Sequence, residues 1–309
     1  MKKHRVTKFQ TLLSLTVSTL VITLSLFVLT LLSSCKKDRV TDPSYESMDE
    51  FYNEHKVEEQ EFIINSEDSA GHITGNQGTE IYVTKRLFQY TNRPDEVTFP
   101  YKIKLVELYE YDDIIFWQMP TPHADGALNH GGEIRVRAFK DDEELMLKPG
   151  LFYSANFSST ATESDMSVFH GTAPNDVFSH WTKASDGSDV VVTNGKYWVN
   201  TYQMGWVSPA KNNPGSGKTD IAFSVNGSGG ENIDLVLAFK NFHGVITGRN
   251  LVIKDAPLGE VATLYCMAKD SKGKFRRYKS EITISAGMNI QLQMEEVDES
   301  TLLAELDNL

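Results

Sequence analysis

Few residues of this chain could take part in covalent chemistry, and the first of them is Cys35. It is one of two cysteines in 309 residues, and it ends a run of 21 uncharged, mostly apolar residues (12–32) followed by Ser33 and Ser34. Four basic residues precede that run: Lys2, Lys3, Arg5 and Lys8. A basic head, an apolar middle and small residues before a cleavage point are typical of a secretory signal peptide. A thiolate placed just behind the cut is a nucleophile that can be modified.

The sequence Leu32-Ser33-Ser34-Cys35 resembles the lipobox of bacterial lipoproteins. The resemblance implies a diacylglyceryl group on Cys35, cleavage before it and acylation of the new amino terminus, with membrane lipid as the partner. Several acyl chains give durable anchoring, whereas one is marginal. Lys36-Lys37-Asp38 resembles the short charged signal of surface lipoproteins of the Bacteroidota type, which implies a lipid-anchored location at the outer membrane or cell surface.

An uncleaved membrane anchor is the alternative interpretation of the same apolar run. A run of 21 residues is long for a signal core and sufficient for a transmembrane helix. In both interpretations the basic head stays in the cytoplasm, and everything after residue 35 is exported.

The charge of the exported part excludes one large class of partner. Residues 1–34 hold four Lys or Arg and no acid, so the remainder carries 26 basic against 42 acidic residues, a net charge of −16. Such a chain is poorly suited to nucleic acid, whose binding depends on neutralising phosphates. If Cys35 is acylated, Cys266 has no disulfide partner, and stability must come from packing.

The most suggestive candidates for ligand contact are aromatic. Five rings lie within 26 residues of polar, turn-rich sequence: Trp181, Tyr197, Trp198, Tyr202 and Trp206. Four of them, Trp181, Trp198, Tyr202 and Trp206, could form flat contact surfaces for a sugar if they are exposed. The competing interpretation is a packed core, because Tyr197 and Trp198 are adjacent and only one of them can point inward from a strand.

Other motifs are too weak to predict catalysis. Gly215-Ser216-Gly217-Lys218-Thr219 ends like a phosphate-binding loop but lacks its first glycine, and a strand pattern follows where a helix is needed. His123 and His130 lie near each other without the spacing of a zinc site. We therefore predict no cofactor, no metal site and no enzymatic activity.

Alternating residues after position 60 predict an all-β chain. In residues 133–139, Ile134, Val136 and Ala138 share one face, while Glu133 and Arg135 share the other. The runs and turns predict two β-sandwich-like domains with a short C-terminal helix. The expected boundaries are a signal peptide at 1–34, a tether at 35–60, a first domain at 61–160, a connecting segment at 161–194 and a second domain at 195–309.

The run 73–150 resembles the ZU-type β-sandwich domain of ankyrins, netrin receptors and tight-junction scaffold proteins, and in particular its bacterial lipoprotein version. The matching features include Gly75-Asn76-Gln77-Gly78-Thr79 before Ile81-Tyr82-Val83, and Gly131-Gly132-Glu133-Ile134 further on. The usual Pro-x-Ala/Gly step after the Ile-Tyr-Val strand is replaced by Thr84-Lys85-Arg86. The resemblance implies an interaction or structural module and carries over no catalytic residue.

These observations predict a non-catalytic binding or scaffolding module at the bacterial surface, whose partner is an unknown protein or glycan. The alternative is a glycan-binding lipoprotein of a polysaccharide uptake system. A glycan binder should expose at least two of Trp181, Trp198 and Trp206 on one face. A scaffold should show an exposed apolar patch or a free sheet edge.

Overall fold

Four mostly antiparallel sheets make up the described part of the chain, together with three α-helices and a 3₁₀ turn at Lys85–Leu87. The computed structural model describes residues 45–66, 72–123, 126–159, 162–174, 177–213, 215–226 and 232–309. The predicted all-β class with a short C-terminal helix is confirmed. Cys35 and the predicted signal peptide lie outside the described residues.

Sheets A and B face each other and form the first sandwich. Sheet A has ten strands: β1 (Gln60–Ile64), β4 (Phe88–Tyr90), β5 (Tyr101–Leu108), β6 (Pro122–His123), β7 (Gly126–His130), β8 (Glu133–Lys140), β9 (Glu143–Leu147), β11 (Ser167–Thr172), β12 (His180–Lys183) and β15 (Gly205–Asn213). Sheet B has five: β2 (Ile73–Thr74), β3 (Glu80–Tyr82), β10 (Tyr153–Phe157), β13 (Asp189–Thr193) and β14 (Lys196–Thr201). The order in sheet B is β13-β14-β10-β3-β2.

Sheets C and D form the second sandwich. Sheet C has three strands: β16 (Lys218–Val225), β19 (Val252–Pro257) and β22 (Asn289–Leu292). Sheet D has five: β17 (Asp234–Phe239), β18 (Val245–Gly248), β20 (Val261–Lys269), β21 (Phe275–Thr283) and β23 (Glu295–Val297). Residues Tyr45–Leu309 together form one compact unit.

The strands bury three apolar clusters. One lies between sheets A and B and contains Ile134, Val136 and Ala138, as the alternation predicts. Another lies between sheets C and D and contains Cys266, so burial raises the pKa of that thiol. The third joins the other faces of sheets A and D through the helices, and Trp206 and Tyr265 belong to it.

The third cluster explains why charged residues of β8 do not face water. Glu133 and Arg135 are both buried. Charged residues normally face solvent, but helices and tryptophans cover the side of sheet A on which these two lie. The guanidinium of Arg135 lies 4.9 Å from the ring of Trp117 and 5.4 Å from that of Trp206, and it donates a 3.1 Å hydrogen bond to Glu59. Cation–π contact and ion pairing thus replace the lost hydration of this arginine.

The three helices are α1 (Met48–His55), α2 (Tyr111–Phe116) and α3 (Glu299–Asp307). Asp298 caps α3 by accepting from the Thr301 N–H at 2.7 Å, and Leu302 and Leu306 are buried. The ends of the compact unit meet, since the Tyr45 hydroxyl donates to Glu299 at 2.8 Å. None of the helices in the described part has the length and apolarity needed to cross a bilayer.

The element boundaries differ from the expected domain division in two places. Helix α1 buries Met48, Phe51 and Tyr52, so the end of the expected 35–60 tether is part of the folded unit. Strands β11, β12 and β13 lie within the expected connecting segment 161–194, yet they belong to the first sandwich. β11 pairs with β15, β12 pairs with β11, and β13 pairs with β14. That sandwich therefore extends to Asn213. The segment gave a weak pattern because β12 and β13 lie at sheet edges, where burial does not enforce alternation. In β11 the successive residues Val168, Phe169 and His170 are all buried, so it does not alternate either.

Candidate functional site

The outer face of sheet B carries two of the predicted aromatic residues. In β14, Tyr197, Val199 and Thr201 are buried, whereas Trp198 and Asn200 point away from the core. Tyr202 comes directly after this strand and continues the same alternation. Strand β10 brings Phe152 beside Tyr202, because Tyr153 is paired with Thr201 in the ladder. Alternation and register thus place Trp198, Tyr202 and Phe152 on one surface.

The ring of Trp198 is held by its neighbours. It packs against Tyr82 with ring centres 4.9 Å apart, and Tyr82 in turn stacks on His72 at 5.0 Å. The indole N–H donates to Asn200 Oδ1 at 3.2 Å. Part of the Trp198 surface is therefore occupied by protein, and the ring is half-buried.

Polar side chains between these rings form two hydrogen-bonded groups. Asn200 accepts from Ser154 at 2.7 Å and donates to Asp189 at 3.0 Å. Asn156 and the Tyr82 hydroxyl both donate to Glu80, at 3.0 and 3.1 Å. The hydrogen bond from Asn156 lowers the pKa of Glu80, so this carboxylate stays ionised over the neutral range.

An apolar cleft opens beside Tyr202. Its volume is about 430 Å³, and it is lined by Thr91, Glu144, Leu145, Met146, Leu147, Tyr202, Gln203 and Met204. Tyr202 packs on Phe152 with ring centres 5.4 Å apart. Met146, Leu151 and Phe152 are 40%, 38% and 42% exposed. Apolar side chains exposed around a concave site are typical of binding surfaces.

A tight turn fixes the position of Tyr202. Its backbone N–H donates to Ser188 Oγ at 3.2 Å, and Ser188 donates to Asp186 at 2.6 Å. Gln203 also donates to Asp186, at 3.0 Å. Burial works against ionisation of Asp186, but the hydrogen bonds from Ser188 and Gln203 outweigh it and lower the pKa of that carboxyl. The wall of the cleft is therefore preorganised rather than a free loop.

Comparisons with protein-family models, with curated proteins and with solved structures gave no match to this chain. The chemistry of the described residues thus carries the functional argument.

The prediction that Trp181 and Trp206 contact a ligand is wrong. They are only 3% and 5% exposed and belong to the apolar cluster between sheets A and D. The Trp181 N–H donates to the Pro120 carbonyl at 3.0 Å, and Trp206 packs edge-on against Trp117 at 5.6 Å. Fewer than two of the three tryptophans are well exposed, so the row of rings expected for a glycan binder is not formed.

Sequence reasoning did not identify Phe152, Met146 and Met204 as residues of a binding surface. Their role depends on the register of β10 with β14 and on the position of β9, which no local pattern encodes. A run of Leu151 and Phe152 immediately after a Pro-Gly turn is the one local signal of exposed apolar residues.

Two other polar regions do not form a competing site. A cleft of about 410 Å³ at the start of α1 is lined by both acids and bases, including Asp49, Asp234, Arg249 and Lys269. His130, Glu133 and His243 come together, but His130 and Glu133 are fully buried. Within the described ranges, no group of three His, Cys, Asp or Glu side chains could hold a metal ion.

Proposed function

We propose that this chain is a lipid-anchored, non-catalytic binding protein of the bacterial cell envelope, which holds a partner protein in the cleft beside Tyr202. The observation that carries the proposal is the packing of exposed Phe152 on Tyr202, next to exposed Met146 and a cleft of about 430 Å³. Aromatic residues and methionine are enriched at protein interfaces, because they bury much area and, for methionine, adapt to the partner.

The chemistry of the lining supports contact rather than bond making. It consists of leucine, methionine, threonine, glutamine and tyrosine with one carboxylate, Glu144. That carboxylate accepts hydrogen bonds from Arg137 at 2.9 and 3.2 Å. The ZU-like motifs and the lipobox-like leader point in the same direction, toward a membrane-held interaction module.

A photo-crosslinking experiment tests the cleft. A benzophenone amino acid replaces Met146 in the full chain in its native membrane, and Ile63, 55% exposed on sheet A, is the matched control position. We expect one discrete adduct from position 146 that disappears when Phe152→Asp is added and persists with Val177→Asp. Absence of an adduct, or equal adducts from both positions, would contradict the proposal.

The anchor is tested separately by Cys35→Ser. We expect the wild-type chain to incorporate labelled fatty acid and to sediment with membranes. The variant should lose both properties, because the acylated sulfur is absent. A Cys35→Ser chain that keeps the label overturns the anchoring part of the proposal and leaves the cleft untouched.

The glycan-binding lipoprotein of a polysaccharide uptake system is a second candidate, favoured by Trp198 beside the amide groups of Asn156 and Asn200. Amide and carboxylate groups near a ring are suited to sugar hydroxyls. Gel retardation by polysaccharide tests this candidate. It predicts that Trp198→Ala abolishes the retardation and that Phe152→Ser does not. The protein-binding function predicts that Phe152→Ser abolishes the crosslinked adduct and that Trp198→Ala does not.

A further inference from the structure

Strand β13 forms one edge of sheet B. Among the described residues it pairs with β14 alone. The two strands are joined by Asn194 and Gly195, whose φ values of 52° and 72° are those of a two-residue hairpin turn. In such a hairpin the closing pair Thr193 and Lys196 exchanges hydrogen bonds, and so do alternate pairs beyond it. The backbone groups of Val190 and Val192 therefore point outward from the sheet.

The β13 edge is unusually apolar for a strand in this position. Its sequence is Asp-Val-Val-Val-Thr, and Val191 and Val192 are 48% and 46% exposed on opposite faces. Proteins normally protect sheet edges with lysine, proline or a bulge. Strand β13 contains neither lysine nor proline, and its register with β14 is regular. In contrast, β23 at an edge of sheet D carries Glu295 and Glu296.

We propose that β13 pairs with β13 of a second copy of this chain, antiparallel and about a two-fold axis at Val191. This inference concerns an interface separate from the cleft. In that register Val191 faces its own equivalent, Val190 faces Val192, and Asp189 faces Thr193. The outward backbone groups of Val190 and Val192 from both copies then form about four hydrogen bonds. Sheets B of the two copies become one continuous sheet.

Charge complementarity favours a second copy over an unrelated strand. Asp189, at one end of β13, and Lys196 of β14, which pairs with Thr193 at the other end of β13, lie on the same face of sheet B. Antiparallel pairing brings Asp189 of one copy next to Thr193 of the other, within side-chain reach of the Lys196 beyond it. The two-fold axis repeats this contact, so each end joins an acid to a base. Lys196 is 40% exposed, and within one copy its ammonium lies 3.9 Å from Glu80 of β3. On pairing, this side chain turns from Glu80 toward Asp189 of the second copy.

Pairing of five-residue strands buries little area, so the dimer is expected to be weak in dilute solution. Confinement to a membrane raises the effective concentration and favours pairing. The inference is therefore best measured on the full chain in its membrane and, in parallel, in detergent micelles at high protein concentration.

The first test is Val191→Cys in the full chain, followed by mild oxidation and non-reducing electrophoresis. The facing pair at the axis is a non-hydrogen-bonded pair, whose Cα atoms lie about 4.5 Å apart, so a disulfide can form. We expect a crosslinked dimer from Val191→Cys in both settings. The unmodified chain, which retains Cys35 and Cys266, and Ile63→Cys on the edge strand β1 should stay monomeric. No dimer from Val191→Cys, equal crosslinking from Ile63→Cys, or an adduct with a different protein overturns the proposal.

A second variant removes the interaction without adding a bond. Val191→Lys places two ammonium groups against each other at the axis, and we expect dimerisation measured by light scattering in detergent to weaken at least tenfold. Val177→Lys, at a 67% exposed loop residue, is the control and should not change it. Circular dichroism checks that both variants fold. Dimers of undiminished strength in Val191→Lys would show that another surface joins the copies.

Discussion

His130 Nε2 lies 4.0 Å from Glu133 Oε1, and the two side chains are only 1% and 0% exposed. The Gly132 N–H donates to His130 Nδ1 at 3.2 Å, which leaves the ring proton on Nε2. Neither carboxyl oxygen of Glu133 has a hydrogen-bond partner among the residues that the structure describes. Burial raises the pKa of Glu133 well above its usual range and, with His243 nearby, lowers that of His130. Both groups are therefore neutral in the folded protein.

Replacing Glu133 by methionine is expected to stabilise the protein by about 1–3 kcal/mol at pH 7, because no hydrogen bond is lost and no carboxyl is buried. The wild type holds a proton on Glu133 that the unfolded chain releases above about pH 4.3. Glu133 therefore makes the free energy of unfolding fall as the pH rises, until the pH reaches the pKa of Glu133 in the folded protein. Urea unfolding from pH 5 to 8 measures the difference, which should grow with pH. A less stable variant at pH 8 would show that Glu133 has an ionic partner.

The neighbouring histidines His130 and His243 predict the opposite dependence of stability on pH below neutrality. His243 lies 4.2 Å from the His130 ring, and burial lowers its pKa to about 4. The unfolded chain protonates both rings below about pH 6.5. Stability should therefore fall as pH drops from 6.5 toward 4. The lowered pKa of His243 accounts for about 2 kcal/mol of this loss at pH 5, and the lowered pKa of His130 adds to it.

The variant His243→Phe keeps a ring against Tyr111 but removes one titrating group. The free energy of unfolding lost between pH 7 and pH 5 should therefore be about 2 kcal/mol smaller than in the unmodified chain. His180→Gln, at an exposed histidine, is the control and should leave the loss unchanged. Urea unfolding at pH 7 and pH 5 supplies both values. An unchanged loss in His243→Phe would assign the acid sensitivity to other groups.

Glu107 is a buried carboxylate that holds the loop 75–79, the Gly-Asn-Gln-Gly-Thr sequence of the ZU-like motif. It accepts from the Gln77 N–H at 3.0 Å, the Thr79 N–H at 2.9 Å and the Gln60 amide at 2.8 Å. Glu107→Ala should cost about 3–5 kcal/mol, because these donors lose a charged acceptor. Glu144→Ala, whose carboxylate is 50% exposed, should cost less than about 1 kcal/mol. Similar costs for both in urea unfolding would contradict this account.

Gly131 is required for close packing rather than for a special backbone angle. A Cβ at this position would overlap the ring of Tyr197, whose hydroxyl accepts from the Glu163 N–H at 2.6 Å. Gly131→Ala should destabilise by about 1–3 kcal/mol, and Tyr197→Leu in the same chain should recover part of that loss. A double variant in which the two costs simply add would rule out the overlap.

Local pattern was sufficient for many strands and for the last helix. The alternation in residues 133–139 predicted a strand with Ile134, Val136 and Ala138 on one face, and these residues lie in β8 and are buried between sheets A and B. The predicted C-terminal helix forms α3. A tight turn joins β8 to β9, where Lys140 pairs with Glu143 and Asp141 has a φ of 54°. Each of these features depends on a few neighbours in sequence.

Features that depend on distant partners were not predictable in this way. Trp181 and Trp206 lie in polar, turn-rich sequence, as expected for rings that are exposed to a sugar. In the structure, however, helices and sheet D cover them. Arg135 alternates like a solvent-facing residue but lies against two tryptophans. The cleft beside Tyr202 forms where Thr91, strand β9 and the residues after β14 meet, so its lining comes from three separated segments.

The hydrogen bond from Tyr45 to Glu299 joins residues 254 positions apart. A short peptide could therefore connect the two ends of the compact unit, and new termini could be opened at the Asn194-Gly195 turn. In such a circularly permuted chain the polypeptide would start and finish at the free edge of sheet B, while the native ladders could still form.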